Sequence, residues 1–168
     1  MDHSGSLPKI SKIAKKAKII TSTKGEKGLN KHYNDDLKYK VVDSGETLNI
    51  GKRTLHFVHI PMVHWPDSMV TYNPEDKILF PNDAFGQHIA SSERYDSEIE
   101  WGILKEEAAK YYANIVMPYG VQVKKALNAI KDLKIDIIAP SHGIIWKDRI
   151  PKIIDEYKKW ANLEKEKK

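Results

Sequence analysis

The chain has 168 residues, no cysteine, 40% hydrophobic and 30% charged residues, and a formal charge of +5. That length suits a single domain with its own core. The lack of cysteine excludes a disulfide framework, a thiolate zinc site, an iron–sulfur cluster and a cysteine nucleophile, so a metal would have to be held by His, Asp and Glu.

No apolar run reaches the ~18 residues of a membrane helix and no signal peptide opens the chain, which makes a cytoplasmic protein with no use for a membrane the expectation. The positive excess sits in residues 1–40, where ten lysines face four acids. No zinc-finger or RNP-type motif accompanies those lysines, so solvated surface is expected there and nucleic-acid binding is not.

In chain order, a polar turn at residues 1–6 precedes Pro8, a residue suited to the first turn of a helix. Ile10, Ile13, Ala14 and Ala17 then follow helical spacing. A short strand is predicted at 18–21 and a polar helix at 23–33. Strands follow at 39–42, 46–50 and 54–60, turned at Gly45 and at Gly51-Lys52. Another pair, 68–72 and 77–80, flanks the turn at 73–76. A loop leaves Asp83, and one long helix is predicted from 98 to 116, broken by Met117-Pro118-Tyr119-Gly120. A helix at 121–133, a buried strand at 135–139 and a last helix from Pro151 complete the reading. Strand groups alternating with helices, without repeats or a dividing linker, predict layered α/β or α+β architecture.

Seven histidines are present, at 3, 32, 56, 59, 64, 88 and 142. His64 follows the apolar run 55–63, Asp83 follows 78–82 and His142 follows 137–141. Three potential ligands thus sit just past three predicted strands, and side chains so placed converge if the strands share a sheet. Asp2-His3 lies at another loop-to-helix junction. Carboxylates and imidazoles without sulfur suit iron, zinc or manganese. One carboxylate between two imidazole-bearing loops suits a bridge between two metals.

Asp2-His3-Ser4-Gly5-Ser6 resembles the second half of the His-x-Glu-x-Asp-His metal motif of flavodiiron proteins, the metallo-β-lactamase-fold reductases of dioxygen and nitric oxide. His64-Trp65-Pro66-Asp67-Ser68-Met69 resembles their next ligand loop. The stretch from Pro74 through Asn82-Asp83-Ala84-Phe85-Gly86-Gln87-His88 resembles the loop of the bridging aspartate. Ala139-Pro140-Ser141-His142-Gly143, followed by Trp146, resembles the last ligand loop. The likeness runs over essentially the whole chain.

The resemblance implies an α+β fold: residues 1–168 as about the second half of an αββα metallo-β-lactamase-like sandwich, truncated at the N-terminus and without a flavodoxin domain. It implies one iron on Asp2, His3, Asp83 and His142, and a second on His64 and Asp83. It also implies FMN from a separate domain or chain, with Trp65 beside the flavin of a partner; on its own, Trp65 is expected to anchor packing. Tyr111 or Tyr112 is expected to face the metals or to pack in the core. Electrons from FMN, fed by a flavin- or rubredoxin-type donor, would reduce O2 or NO. The missing ligands and flavin domain make the chain inactive alone, and a homodimer or a complementary fragment is the expected partner. The competing readings are a metal-dependent hydrolase of the same superfamily acting on an ester or thioester, and a non-catalytic assembly module. A triad built on Ser4 or Ser141 lacks a nucleophile elbow. His56 and His59 are expected to line strand faces, and His32 and His88 to be solvated.

Overall fold

The computed structural model describes residues 3–33 and 36–164; Asp2, one of the expected ligands, lies outside them. The elements run α1 (Leu7–Ile13), β1 (Ile19–Thr21), α2 (Thr23–His32), β2 (Tyr39–Val41), β3 (Thr47–Asn49), β4 (Thr54–His59), β5 (Met69–Asn73), β6 (Ile78–Phe80), α3 (Trp101–Tyr111), α4 (Gly120–Ile130), β7 (Ile137–Ile138) and α5 (Ile150–Ala161). β1 and β2 form a two-stranded parallel sheet, and the other five strands form a second sheet in the order β3-β4-β5-β6-β7. Its first four strands are antiparallel, and β7 joins parallel to β6 with Leu79 opposite Ile138.

Register sorts the side chains of the larger sheet, because alternate residues point to opposite faces. Val58, Val70, Tyr72, Leu79 and Ile138 are in line across the strands and share one face. That face is covered by the helices: Leu104 and Ala108 of α3, Val123 and Ile130 of α4, and Ile153 and Tyr157 of α5 are buried in one cluster with it. The other face carries Leu55, Phe57, Ile78, Phe80 and Ile137. Phe57 is buried there, while Leu55, Ile78 and Ile137 are half-buried and Phe80 is 44% exposed. A sheet with helices on one face and apolar residues on the other is one half of a sandwich. The apolar strand residues therefore divide between the faces, with Val70 under the helices and Phe80 on the open side.

The predicted long helix 98–116 is three pieces. Asp96–Glu98 forms a single 3-10 turn closed by the Glu98 carboxylate, which accepts from Arg94 N and Tyr95 N, both at 2.8 Å. α3 starts afresh after Glu100, whose carboxylate accepts from Ile103 N at 3.0 Å. The last turn widens into a π-helical stretch, Tyr112–Val116, before Pro118 prevents continuation. α1 stops at Ile13, short of Ala14 and Ala17, and buries none of its residues. Among the described residues no helix is long and apolar enough to cross a membrane.

Candidate metal centre

Asp83 stands three residues past the end of β6, on a loop whose backbone is bent sharply at both sides. Asn82 and Phe85 both adopt left-handed conformations, at φ 59° and 64°. Asparagine tolerates that region, but for phenylalanine it costs on the order of 1–3 kcal/mol and persists only where the surroundings over-determine it. They do so here. Phe85 N donates to the Tyr157 hydroxyl at 2.7 Å, and Phe85 O accepts both from Gln87 Nε2 and from the Trp146 indole, each at 2.8 Å. The bend turns the Asp83 carboxylate inward, where it is 1% exposed.

Three imidazoles surround that carboxylate. Oδ1 lies 2.8 Å from His3 Nε2 and 3.3 Å from His142 Nε2, while Oδ2 lies 3.5 Å from His64 Nε2. The two oxygens thus face different histidines. Ligand atoms of His3, Asp83 and His142 all fall within 4.8 Å of one another, a cluster of metal-binding size, and His64 approaches the other carboxylate oxygen. Among the described residues, Oδ2 accepts no hydrogen bond although it is buried. A buried carboxylate with an unmet oxygen is costly unless a charge compensates it. Nitrogen and oxygen donors spaced this way, with that oxygen unsatisfied, fit a divalent cation.

The histidines arrive on separate elements. His3 precedes α1. His64 ends the turn after β4, reached through left-handed Met62 and a cis Val63–His64 peptide. His142 follows β7, on a loop laced to the Asp83 loop. Ser141 N donates to Asn82 O at 2.8 Å, Gln87 N to His142 O at 3.3 Å, and Ile144 N to Gln87 Oε1 at 2.8 Å. The Gln87 side chain is wholly buried. Gly143, at φ 83°, must be glycine on a second count, since a Cβ there would strike the Gln87 amide. Beyond it, the buried Asp96 carboxylate accepts from the backbone N–H groups of Lys147, Asp148 and Arg149 at 3.2, 3.1 and 2.6 Å, fixing the far end of the same loop.

Of the expected ligands, the structure brings together His3, His64, Asp83 and His142. Tyr111 is the tyrosine that reaches the site, its ring 5.9 Å from His142 and 4.8 Å from His88. Tyr112 packs instead against Tyr157 and Trp160, where burial pushes its hydroxyl pKa up. His88 is exposed, as expected, and its ring also sits 5.4 Å from that of His142. Trp65 is 48% exposed beside His64, so it is not a packing anchor. His59 is tied to Val42 O at 3.0 Å, and His32 is exposed. Gln87 and Asp96 went unread in the sequence, where a lone Gln or Asp in a loop carries no sign of burial. The pairing of Gly86-Gln87 with His142-Gly143 becomes meaningful once the two loops are known to touch.

A family model described as ODP family beta lactamase matches residues 2–143. The chain is 46% identical over 163 residues to the nitric oxide reductase of Moorella thermoacetica, a match that takes in 95% of this chain and 41% of that protein. The rubredoxin oxygen:oxidoreductase of Desulfovibrio gigas superposes with a TM-score of 0.92 at 39% identity, over 96% of this chain and 41% of the other. The flavodiiron protein from Giardia intestinalis superposes with a TM-score of 0.89 at 38% identity, over 93% and 39%. The chain spans about 40% of the length of the curated relatives it matches.

Proposed function

Because the chain belongs to the ODP family of beta lactamases, we propose that it is the metal-binding part of a flavin-linked oxidoreductase of the flavodiiron kind, reducing dioxygen to water or nitric oxide to nitrous oxide. The observation that carries this reading is the buried Asp83 carboxylate, which turns Oδ1 to His3 and His142 and an unmet Oδ2 to His64. Asp2, His3, Asp83 and His142 would hold one iron, and His64 with Asp83 would contribute to a second. Iron held there supplies the one-electron redox chemistry that these side chains lack.

The remaining work falls to the chain itself. Asp83 fixes the distance between the two ligand sets by offering one oxygen to each. Phe85 and Tyr157 close the interior side of the site with rings tilted at 41° and 4.5 Å apart, keeping bulk water from behind the carboxylate. Trp65, half exposed beside His64, offers an aromatic surface to a flavin carried by a separate domain or chain. A flavin- or rubredoxin-type protein would be the electron donor, and the cytoplasm the compartment. Of the two partners open to the chain, a homodimer or a complementary fragment, we favour the homodimer.

The test is gas consumption under anaerobic preparation. The ferrous-loaded chain with a chemical reductant alone should consume neither O2 nor NO at an enzyme's usual rate, on the order of 10 per second. Adding a reduced flavin-bearing donor together with a polypeptide that supplies the remaining ligands of the second iron should bring consumption on, and Asp83→Asn should abolish it. Consumption untouched by Asp83→Asn would contradict the proposal. So would ester or thioester hydrolysis by the zinc-loaded chain with no gas consumption, which favours the hydrolase.

A further inference from the structure

Behind the Asp83 loop, between the helix-covered face of the large sheet and α4, lies a cavity of about 20 Å3. A single water needs roughly 10–15 Å3, so one small molecule fits. The walls are hydrocarbon: Ile60, Val63 and Val70 from the sheet side, Ala84 and Phe85 from the ligand loop, Val123 and Ala126 from α4. Tyr157 also borders it, but its hydroxyl is engaged by Phe85 N at 2.7 Å. A water requires two to four polar partners, and this wall does not present them, so the space stays dry and suits an apolar solute.

Its position is specific. Val63 is bonded to His64 and Ala84 to Asp83, so two of its walls are the residues next to two of the proposed ligands. At its other end Ala126 and Leu127 are only half-buried. Leu127 also borders a surface hollow of about 300 Å3, together with Lys124, Asn128 and Lys158. Leu127 therefore stands between solvent and an apolar space that reaches the back of the metal centre.

We propose that this cavity is a holding site for a neutral diatomic gas on its way to the centre, entering past Leu127. The gas identity rests on the reading of the chain as an O2 or NO reductase; the existence of the site does not. Both gases are small, uncharged and weakly hydrated, and an apolar space that refuses water accepts them without loss of hydrogen bonds. Ions and water are kept to the polar mouth, where His88 and Tyr111 stand. One chain then has two entrances of opposite character.

Xenon is the probe. Crystals of the metal-free chain pressurised with xenon should show one atom bounded by Val63, Ala84, Val123 and Ala126. Ala126→Phe, which fills the space from the helix side, should remove it. Should that variant fail to fold, Val123→Ala, which enlarges the space, should raise the occupancy. In the iron-loaded chain with its flavin donor, Ala126→Phe should raise the half-saturating gas concentration several-fold with metal content unchanged. No xenon at this position, or xenon that survives Ala126→Phe, overturns the site. Loss of xenon with an unchanged half-saturating concentration overturns its role in gas delivery. Failure of the parent chain to consume either gas would fall on the proposed function, while the xenon result still decides the cavity.

Discussion

Asp83 works because of residues that never touch a ligand position. Gln87 joins the loop of Asp83 to the loop of His142 through two hydrogen bonds, its Oε1 accepting from Ile144 N and its backbone N donating to His142 O, while its Nε2 braces its own loop at Phe85 O. Replacing it with leucine keeps the volume but leaves Ile144 N unpaired in the interior, a loss of about 1–3 kcal/mol. Phe85 O retains the Trp146 indole. Gln87→Leu should lower the melting temperature and also weaken cobalt(II) binding by 10–100-fold, the usual penalty for losing a group that orients ligands. Ile130→Ala, a core truncation that removes no hydrogen bond of either loop, should lower stability by about 2–5 kcal/mol and leave cobalt affinity alone. Equal cobalt affinity in parent and Gln87→Leu would show that Gln87 serves stability only. The proposed ligands were legible in the sequence, because His64, Asp83 and His142 each follow an apolar run, and the structure gathers them. Their supports were not, since burial of Gln87 and Asp96 is created by contacts 50 or more residues away in the chain.

At the scale of elements, the sequence pattern located the helices well and their ends poorly. Residues 98–116 carry an unbroken helical pattern, yet the chain makes a separate turn at Asp96–Glu98 and restarts at α3. The cause is side-chain capping: Glu98 and Glu100 compete with the helix for backbone N–H groups. Hydrogen bonds from the backbone N–H of Gly102, and then of Ile103, hold the Glu100 carboxyl below its ordinary pKa. A carboxyl depressed in the folded state adds stability above its unfolded value and loses that contribution as pH falls through the folded value. Glu100→Gln should therefore melt below the parent at neutral pH, and the gap should close as pH drops below about 4, the ordinary glutamate range. Thermal melts of both proteins across that range check it. A gap that persists in acid would mean that the cap does not depend on the charge.

The whole molecule reads as a sheet with one finished face. Strand periodicity showed that Phe80 and Val70 are both apolar strand residues, but only the pairing register shows that they point in opposite directions. Phe80 at 44% exposure, with Ile10 at 51% and Ile13 at 81% on α1, leaves apolar surface of the kind that drives association. Light scattering should find a monomer at low micromolar concentration giving way to a dimer as concentration rises, and Phe80→Ser should shift that balance toward monomer. A strict monomer at all concentrations would contradict this. The finished face, meanwhile, backs the loops on which three imidazoles meet one carboxylate. The direct test of that arrangement is elemental analysis of the chain after anaerobic reconstitution with iron. The parent should retain about one ion per chain or more, and the double variant Asp83→Ala, His142→Ala, folded by circular dichroism, should retain almost none. Undiminished iron in the double variant would contradict the metal centre described here.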